Sequence, residues 1–510
     1  MSKRIGFVET PREICKLMIE LSKISKDMSV LDVGSGKGAF LSELKNNKFR
    51  NCTGIEIDYE FYRILQSNFK NYKIINGNFL SYNFTNKFDL IIGNPPYMHL
   101  NLIPENLARN VQDIIKTNQG DIYYAFILRS IELLKDGGEL ILIVPYHFFY
   151  NTYAKFVREE ILKNGKFEII IDLDEVNLFN NEHPETIIFK FKKGNFNLNN
   201  EKIELLKIKQ KNTLPETIYT QAIESLQTHS SNNLFDYGSL QHFTFNKPWS
   251  TYIFDMPDFP SIKLSEIARV GVGFVTGYDL AFKLKDKEIE NFNENEKMLN
   301  YKFIKGKNCK RYIVNDYENY ILINNKINDE RELQENYPNI YRKIEQHKSE
   351  LSLRFLPLKR QWYQWQALRN YKYLMDNIDK IKIYVPTLDR HSFNRFSIGG
   401  KGLLPSGDVL FIQPFNNDDI YFLLGYLNSD FFRQYYLSIG GRRGGRISFT
   451  QKLLNEAKIP EFANDTKKRI SLIIKEIINN LESNLEIMNL EQELNQIINN
   501  KIIQISTIKS

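Results

Sequence analysis

At 510 residues the chain is longer than one hydrophobic core usually serves, and at roughly 150 residues per domain it should form two to four domains. Its 42% apolar and 25% charged residues exclude a disordered or fibrous chain, and no apolar run of about 18 residues could span a membrane. The net charge is a modest +7, and three scattered cysteines (Cys15, Cys52, Cys309) without a Cys/His cluster exclude a disulfide framework and a structural zinc, so a reduced, cytoplasmic, metal-free protein is expected.

The N-terminus, MSKRIGFVETPREICKLM, carries charges where a secretory segment would be apolar, so no signal peptide is expected. Six short apolar runs follow, VLDV (30–33), GIEI (54–57), KIIN (73–76), FDLIIGN (88–94), ELILIVP (139–145) and FEIIIDL (167–173), with ETIIFKFKK (185–193) as a further strand. Amphipathic stretches such as DIYYAFILRSIELLKD lie between them, and this alternation predicts an α/β domain with a mostly parallel sheet. Around 194–240 the pattern dissolves into Asn, Lys, Thr, Ser and Gln. The expected organisation is a first domain over 1–225, a linker over 226–239, an irregular α+β domain over 240–460 and amphipathic helices over 461–510. The last are read from Ile474, Ile477, Leu481, Leu485 and Met488, and should pack on the preceding domain.

VLDVGSGKGAF sets Asp32, Gly34, Gly36 and Gly38 directly after a strand, where glycines allow a sharp turn and a close ligand approach. A phosphate loop is excluded, because Leu31 stands where its first glycine belongs and no Ser or Thr follows a Gly-Lys pair. A dinucleotide loop is weakened, with Ala39 at its third glycine. The pattern (D/E)-x-G-x-G-x-G of S-adenosylmethionine sites is filled throughout. Glu56, at the end of the next strand beside Ile57, can accept both ribose hydroxyls, and Asp32 suits the cationic amino-acid end.

The strand FDLIIGN runs into Asn94, Pro95, Pro96 and Tyr97. The prolines stiffen the turn and hold two acceptors in place, the Asn94 side-chain oxygen and the Pro95 carbonyl, beside a flat ring. A planar group carrying an NH₂ fits that arrangement. Acceptors on both N–H groups draw the conjugated amine toward tetrahedral geometry and free its lone pair for attack on a sulfonium methyl, with no strong base required. A base inside a duplex reaches such a site only when flipped out and held by stacking, here on Tyr97. Adenine N6 and cytosine N4 both present the required amine.

On these residues the chain resembles the gamma-class (TaqI-type) N6-adenine DNA methyltransferases of bacterial type II restriction–modification systems. The resemblance implies a Rossmann-like S-adenosylmethionine-dependent domain followed by a DNA-recognition domain. VETPREICKLM (8–18) is similar to the family's N-terminal cofactor motif, implying that Thr10 contacts the methionine moiety. NGNFL (76–80) implies that Phe79 packs on the cofactor adenine and that Asn78, in place of the usual Asp, accepts from its amine. EVNLFNNEHPET (175–186) covers the stretch that supplies a second aromatic to the flipped base, with Phe179 the candidate. Cofactor motifs precede the catalytic motif and recognition follows both, as in the gamma order. With the first motif beginning by residue 8, no N-terminal nuclease is expected.

The second domain carries the charge: residues 351–460 hold 16 Lys+Arg against 8 Asp+Glu, +8, so the remaining residues sum to −1. An anionic partner would meet the protein there. GGRRGGR (440–446) places Arg442, Arg443 and Arg446 among glycines, suited to a phosphate ridge. QWYQWQ (361–366) offers Trp362, Tyr363 and Trp365 beside Arg360 and Arg369. The reading is therefore a monomeric enzyme acting on double-stranded DNA, with a cognate restriction endonuclease as a functional rather than physical partner. The alternatives are an Asn-Pro-Pro-Tyr methyltransferase acting on RNA or protein glutamine, and a catalytically inactive DNA-specificity subunit.

Overall fold

The computed structural model describes residues 8–507 apart from 180–184, 246–248, 253, 255, 325–326, 358–359 and 444–445. Two glycines of GGRRGGR and the centre of EVNLFNNEHPET therefore lie outside the described residues. The chain forms two compact units, Met1–Ile253 with Ser438–Gly445, and Phe254–Leu437 with Arg446–Ser510.

The first unit is built on β1 (Ser29–Val33), β2 (Asn51–Glu56), β3 (Lys73–Asn76), β4 (Phe88–Gly93), β5 (Leu134–Pro145), β6 (Gly165–Asp172), β7 (Thr186–Lys193), β8 (Lys202–Ile208) and β9 (Phe235–Gln241). They form one sheet in the order β3-β2-β1-β4-β5-β7-β6-β8-β9. Neighbours from β3 through β5 run parallel, as do β6 and β8, whereas β7 is antiparallel to both β5 and β6. Central strands such as Val30–Val33 are buried throughout because helices cover both faces, hence their continuous apolar runs. Among these helices are α1 (Arg12–Glu20), α2 (Ala39–Asn46), α3 (Tyr59–Asn68), α4 (Glu105–Ile115), α5 (Ile122–Leu133), α6 (Lys155–Asn164) and α7 (Pro215–Thr228).

The strand order fixes where a ligand can sit. From β1 the chain passes to β2 on one side, while β4 pairs with β1 on the other, Asp32 opposite Ile92. The connections leave in opposite directions there, which opens a crevice at the carboxyl ends of β1 and β4. The glycine loop follows β1, and Asn94 follows β4. Gly93 must be glycine, since a Cβ would lie 2.8 Å from the Val33 carbonyl oxygen.

The linker expected over 226–239 is instead the end of α7 and most of β9, which pairs with β8 as the sheet edge. Ile218, Ala222 and Ser225 give α7 a buried face at helical spacing, and Ile218 and Ala222 join the α1 core of Ile14, Leu17 and Met18. Polar residues on the opposite face of α7 made the stretch read as a spacer. The first unit thus continues to 253 and takes Ser438–Gly445 from the region expected to read DNA.

The second unit mixes a sheet ordered Ala268–Val272, Val409–Pro414, Lys382–Pro386, Ser397–Gly399, Tyr312–Ile313 with short helices around Phe274, Phe303, Tyr363 and Trp365. The C-terminal helices, Asn464–Glu482 and Met488–Thr507, belong to it. Ile470 and Ile474 seat against Gly425, where a Cβ would come within 2.8 Å. The apolar stripe stops at the break between them, where Leu485 and Met488 are exposed. No helix among the described residues is long and apolar enough to cross a membrane.

Candidate active site

The glycine loop uses its glycines for backbone shape. Gly34, Gly36 and Gly38 have φ of 71°, 52° and 92°, in the left-handed region that side chains disfavour. At Gly38 a Cβ would also strike the Phe69 ring at 2.6 Å, while at Gly34 it would point into open space, leaving that backbone bare to a ligand. Glu56 ties loop to strand: Oε2 accepts from the Gly36 N–H at 2.7 Å and Oε1 from the Asp58 N–H at 2.8 Å. Its carboxylate is thereby fixed at the cavity wall with lone pairs to spare.

A cavity of about 330 Å³ opens at this crevice and is walled by Thr10, Gly34, Gly36, Glu56, Ile57, Asn78, Phe79, Asn94 and Pro96, all singled out from the sequence. Phe79 is buried with its ring 5.0 Å from that of Phe126, and Ile57 stands exposed at the rim, so apolar surface is available to a flat heterocycle. Asn78 differs from expectation in one respect: its Oδ1 already accepts the Leu80 N–H at 3.0 Å. Asp32 and Gly38 do not line the cavity, Gly38 standing at the start of α2. The sequence reading missed Met98, Leu102, Ile103, Pro104 and Leu107, which wall the cavity from just after the Asn-Pro-Pro-Tyr turn. The apolar spacing running into α4 was the available signal.

Polar atoms with unmet hydrogen bonds mark what the site lacks. Neither carboxylate oxygen of buried Asp32 accepts a hydrogen bond of good geometry among the described residues, and burial, opposed by the nearby Ser35 hydroxyl and helped by the charge of Glu56, pushes its pKa up to about 7. At Asn94 the amide nitrogen donates to Thr10 Oγ1 at 3.0 Å and, longer, to the Val8 carbonyl at 3.5 Å. Its Oδ1 is buried and unpartnered among the described residues. A buried acceptor left unmade costs about 1–3 kcal/mol, a reason to look for a ligand. The Tyr97 hydroxyl donates to the Ile143 carbonyl at 2.9 Å, which fixes the ring. Phe179 is buried beside it, ring centroids 6.4 Å apart at 70°. The cavity wall, with a strand-end acid for a diol and apolar faces for a purine, fits S-adenosylmethionine, while the unpaired Asp32 carboxylate stands off that wall.

The expected DNA contacts divide. Arg442 is corrected: it is buried, with ion contacts to Asp172, Asp174 and Glu185, and cannot lie on a phosphate ridge. Tyr363 and Trp365 are core residues, the Trp365 indole N–H donating to the Ile321 carbonyl at 2.8 Å. Arg360 and Trp362 are half-buried, with Arg360 Nη1 donating to the Trp365 carbonyl at 2.6 Å and the Lys348 ammonium 4.6 Å above the Trp362 ring. Arg443 is exposed and Arg446 half-exposed.

Comparison with known proteins places the chain in a family. Residues 10–179 match the Eco57I restriction-modification methylase family. The type II methyltransferase M.MjaIV of Methanocaldococcus jannaschii is 55% identical over 252 residues, 49% of this chain and 85% of its own. M.HindII of Haemophilus influenzae is 28% identical over 513 residues, 94% of each chain. In fold, the chain is similar to the type IIL restriction-modification enzyme MmeI, solved in complex with DNA, at a TM-score of 0.66 and 12% identity over 97% of this chain and 72% of that one. Fold, cavity and relatives converge: the chain belongs to the Eco57I-type restriction-modification methylases, a type II DNA methyltransferase whose methyl donor is S-adenosylmethionine.

Proposed function

We propose that the enzyme methylates N6 of an adenine flipped out of double-stranded DNA, as gamma-class enzymes do. The observation that carries this reading is Asn94: Thr10 holds its amide nitrogen, so the buried Oδ1 is the end left for an incoming N–H. Pro95 and Pro96 contribute no N–H and keep the turn rigid, so the Pro95 carbonyl serves as the second acceptor. Two acceptors stabilise the positive charge that grows on nitrogen as it attacks, and they need no reorganisation. S-adenosylmethionine, when bound, would supply an electrophilic methyl on sulfonium and would leave as the neutral thioether. The surplus proton is held on N6 against Asn94 Oδ1 until water removes it. Tyr97 and Phe179 stack on the extruded ring. Asp32, Glu56 and the bare backbone of the glycine loop orient the donor, and Phe79 and Ile57 cover its adenine.

The same reading has the enzyme act as a cytoplasmic monomer, its mark shielding DNA from a cognate restriction endonuclease that need not touch it. Arg443, on the segment that returns to the first unit, and Arg446 of the second unit would contact the duplex foremost, with Arg360 and Trp362 at partly covered positions. Incubation with methyl-labelled donor and duplex DNA, RNA or protein, followed by nucleoside analysis, tests the proposal. N6-methyladenine in DNA is expected. N4-methylcytosine would overturn the choice of base, label in RNA or protein alone the substrate, and no label at all would mean an inactive specificity subunit.

A further inference from the structure

Segment Ser438–Gly445 sends one side chain into the first unit's interior. Arg442 Nη1 donates to Asp172 Oδ2 at 2.9 Å, while Nη2 lies 2.7 Å from Asp174 Oδ1 and 2.6 Å from Glu185 Oε1. The last two are ion contacts whose angles fall short of hydrogen bonds. The guanidinium also rests 5.0 Å over the Tyr146 ring, and Thr251 donates its hydroxyl to Asp172. Against burial, which pushes it up, Arg442 and Lys207 hold the Asp172 carboxyl below its ordinary value.

The partners occupy particular places. Asp172 and Asp174 begin the connection from β6 to β7, and Glu185 ends it, with Phe179 between. Backbone bonds close the stems, Leu173 N–H to the Thr186 carbonyl and Thr186 N–H to the Asp174 carbonyl, both at 3.0 Å. Asp174 has φ of 48°, in the left-handed region that side chains other than Asn and Asp rarely enter. None of these residues lines the cofactor cavity.

We propose that Arg442 is a positioning residue for the base: by bracing both stems it holds Phe179 edge-on to Tyr97, where the extruded ring stacks. The inference rests on the reading of Tyr97 and Phe179 as stacking partners. Without the guanidinium, buried like charges repel, Asp174 relaxes, and the aromatic pair loses alignment while the cofactor site stays intact.

Arg442→Met and Arg442→Lys are the test, each compared with the parent for melting temperature, cofactor Kd, kcat, and fluorescence of a duplex carrying 2-aminopurine in place of the methylated base. Arg442→Met should lose about 100-fold in kcat, the scale of a small misplacement, with weak fluorescence and a cofactor Kd within about twofold. Arg442→Lys should recover part of both. Parent-like kcat and fluorescence in Arg442→Met would overturn the proposal. So would a loss confined to DNA affinity with a shallower salt dependence, which a phosphate contact would give. Should Arg442→Met not fold, Asp174→Asn, neutral and tolerant of the left-handed backbone, loosens one stem alone. Reduced fluorescence with retained cofactor affinity then supports the proposal, and no change refutes it. Phe179→Ala separates the two layers: intact activity and fluorescence would sink the stacking reading, whereas a loss there with none in Arg442→Met removes only the arginine's role.

Discussion

The surroundings of Arg442 and the crevice at the ends of β1 and β4 both bury polar or charged groups of the first unit, and they do so in opposite ways. Around Arg442, carboxylates from both stems of one connection converge on a single guanidinium, with Lys207 nearby, so its charges are compensated from within, although Asp174 Oδ1, Glu185 Oε1 and Arg442 Nη2 meet as ion contacts rather than hydrogen bonds. At the crevice, the Asp32 carboxylate and Asn94 Oδ1 are equally buried yet lack hydrogen-bond partners among the described residues. Burial cost is similar in kind at both, so what separates them is who supplies the compensation. A matched cluster is finished architecture; an unmatched one waits for a partner from solution. The sequence presents both alike, as charged or amide residues flanked by glycines and apolar strands.

Substitutions can break this contrast at either side. The largest effect is expected at Asn94: Asn94→Ala removes the unmatched acceptor and should lower kcat about a hundred- to a thousand-fold while DNA binding is kept, checked by single-turnover methylation beside gel shift. Retained kcat would mean the oxygen waits for nothing. Asp32 is next. Its raised pKa means the ionised form is disfavoured in the free fold, so stability from this group falls as pH rises from the ordinary carboxylate range through about 7. A bound cation reverses that preference. Cofactor affinity, measured by calorimetry, should therefore climb about tenfold per pH unit up to about pH 7 and then level, and Asp32→Asn should flatten the profile.

Smaller effects sharpen the picture. Thr10→Val removes the hydroxyl that orients the Asn94 amide, and a loss of about tenfold in kcat is expected, with Thr10→Ser restoring it. A matching rise in cofactor Kd would instead place Thr10 on the methionine moiety alone. Arg443→Ala, on the exposed neighbour of the buried arginine, should barely alter kcat and should lessen the salt dependence of DNA binding by about one unit. An effect as deep as that of Arg442→Met would erase the distinction between adjacent arginines.

Much of the crevice could be read in advance because backbone geometry dictates it. Left-handed turns at Gly34, Gly36 and Gly38 admit glycine almost alone, and the strand ends deliver Glu56 and Asn94 to one edge. The buried strands up to Lys193 declared themselves by unbroken apolar runs. Beyond them the signal fades: Lys and Glu interrupt the apolar run of β8, and Glu, Thr and Gln on the outer face of α7 dominated the reading. Arg442 was misread for a different reason. Its partners Asp172, Asp174 and Glu185 lie more than 250 positions earlier, and local composition says nothing about a pairing made across that distance. The Trp362–Trp365 stretch fails likewise, since an aromatic run looks the same whether it faces a core or a ligand.

The return of Ser438–Gly445 to the first unit bears on how such enzymes could be recombined. A chimera that swaps everything after residue 253 as a contiguous cassette would also remove Arg442. Asp172, Asp174 and Glu185 would then be stranded as uncompensated anions in the host. An exchange meant to retarget methylation should instead graft around that short segment, or carry a substitute cation with it.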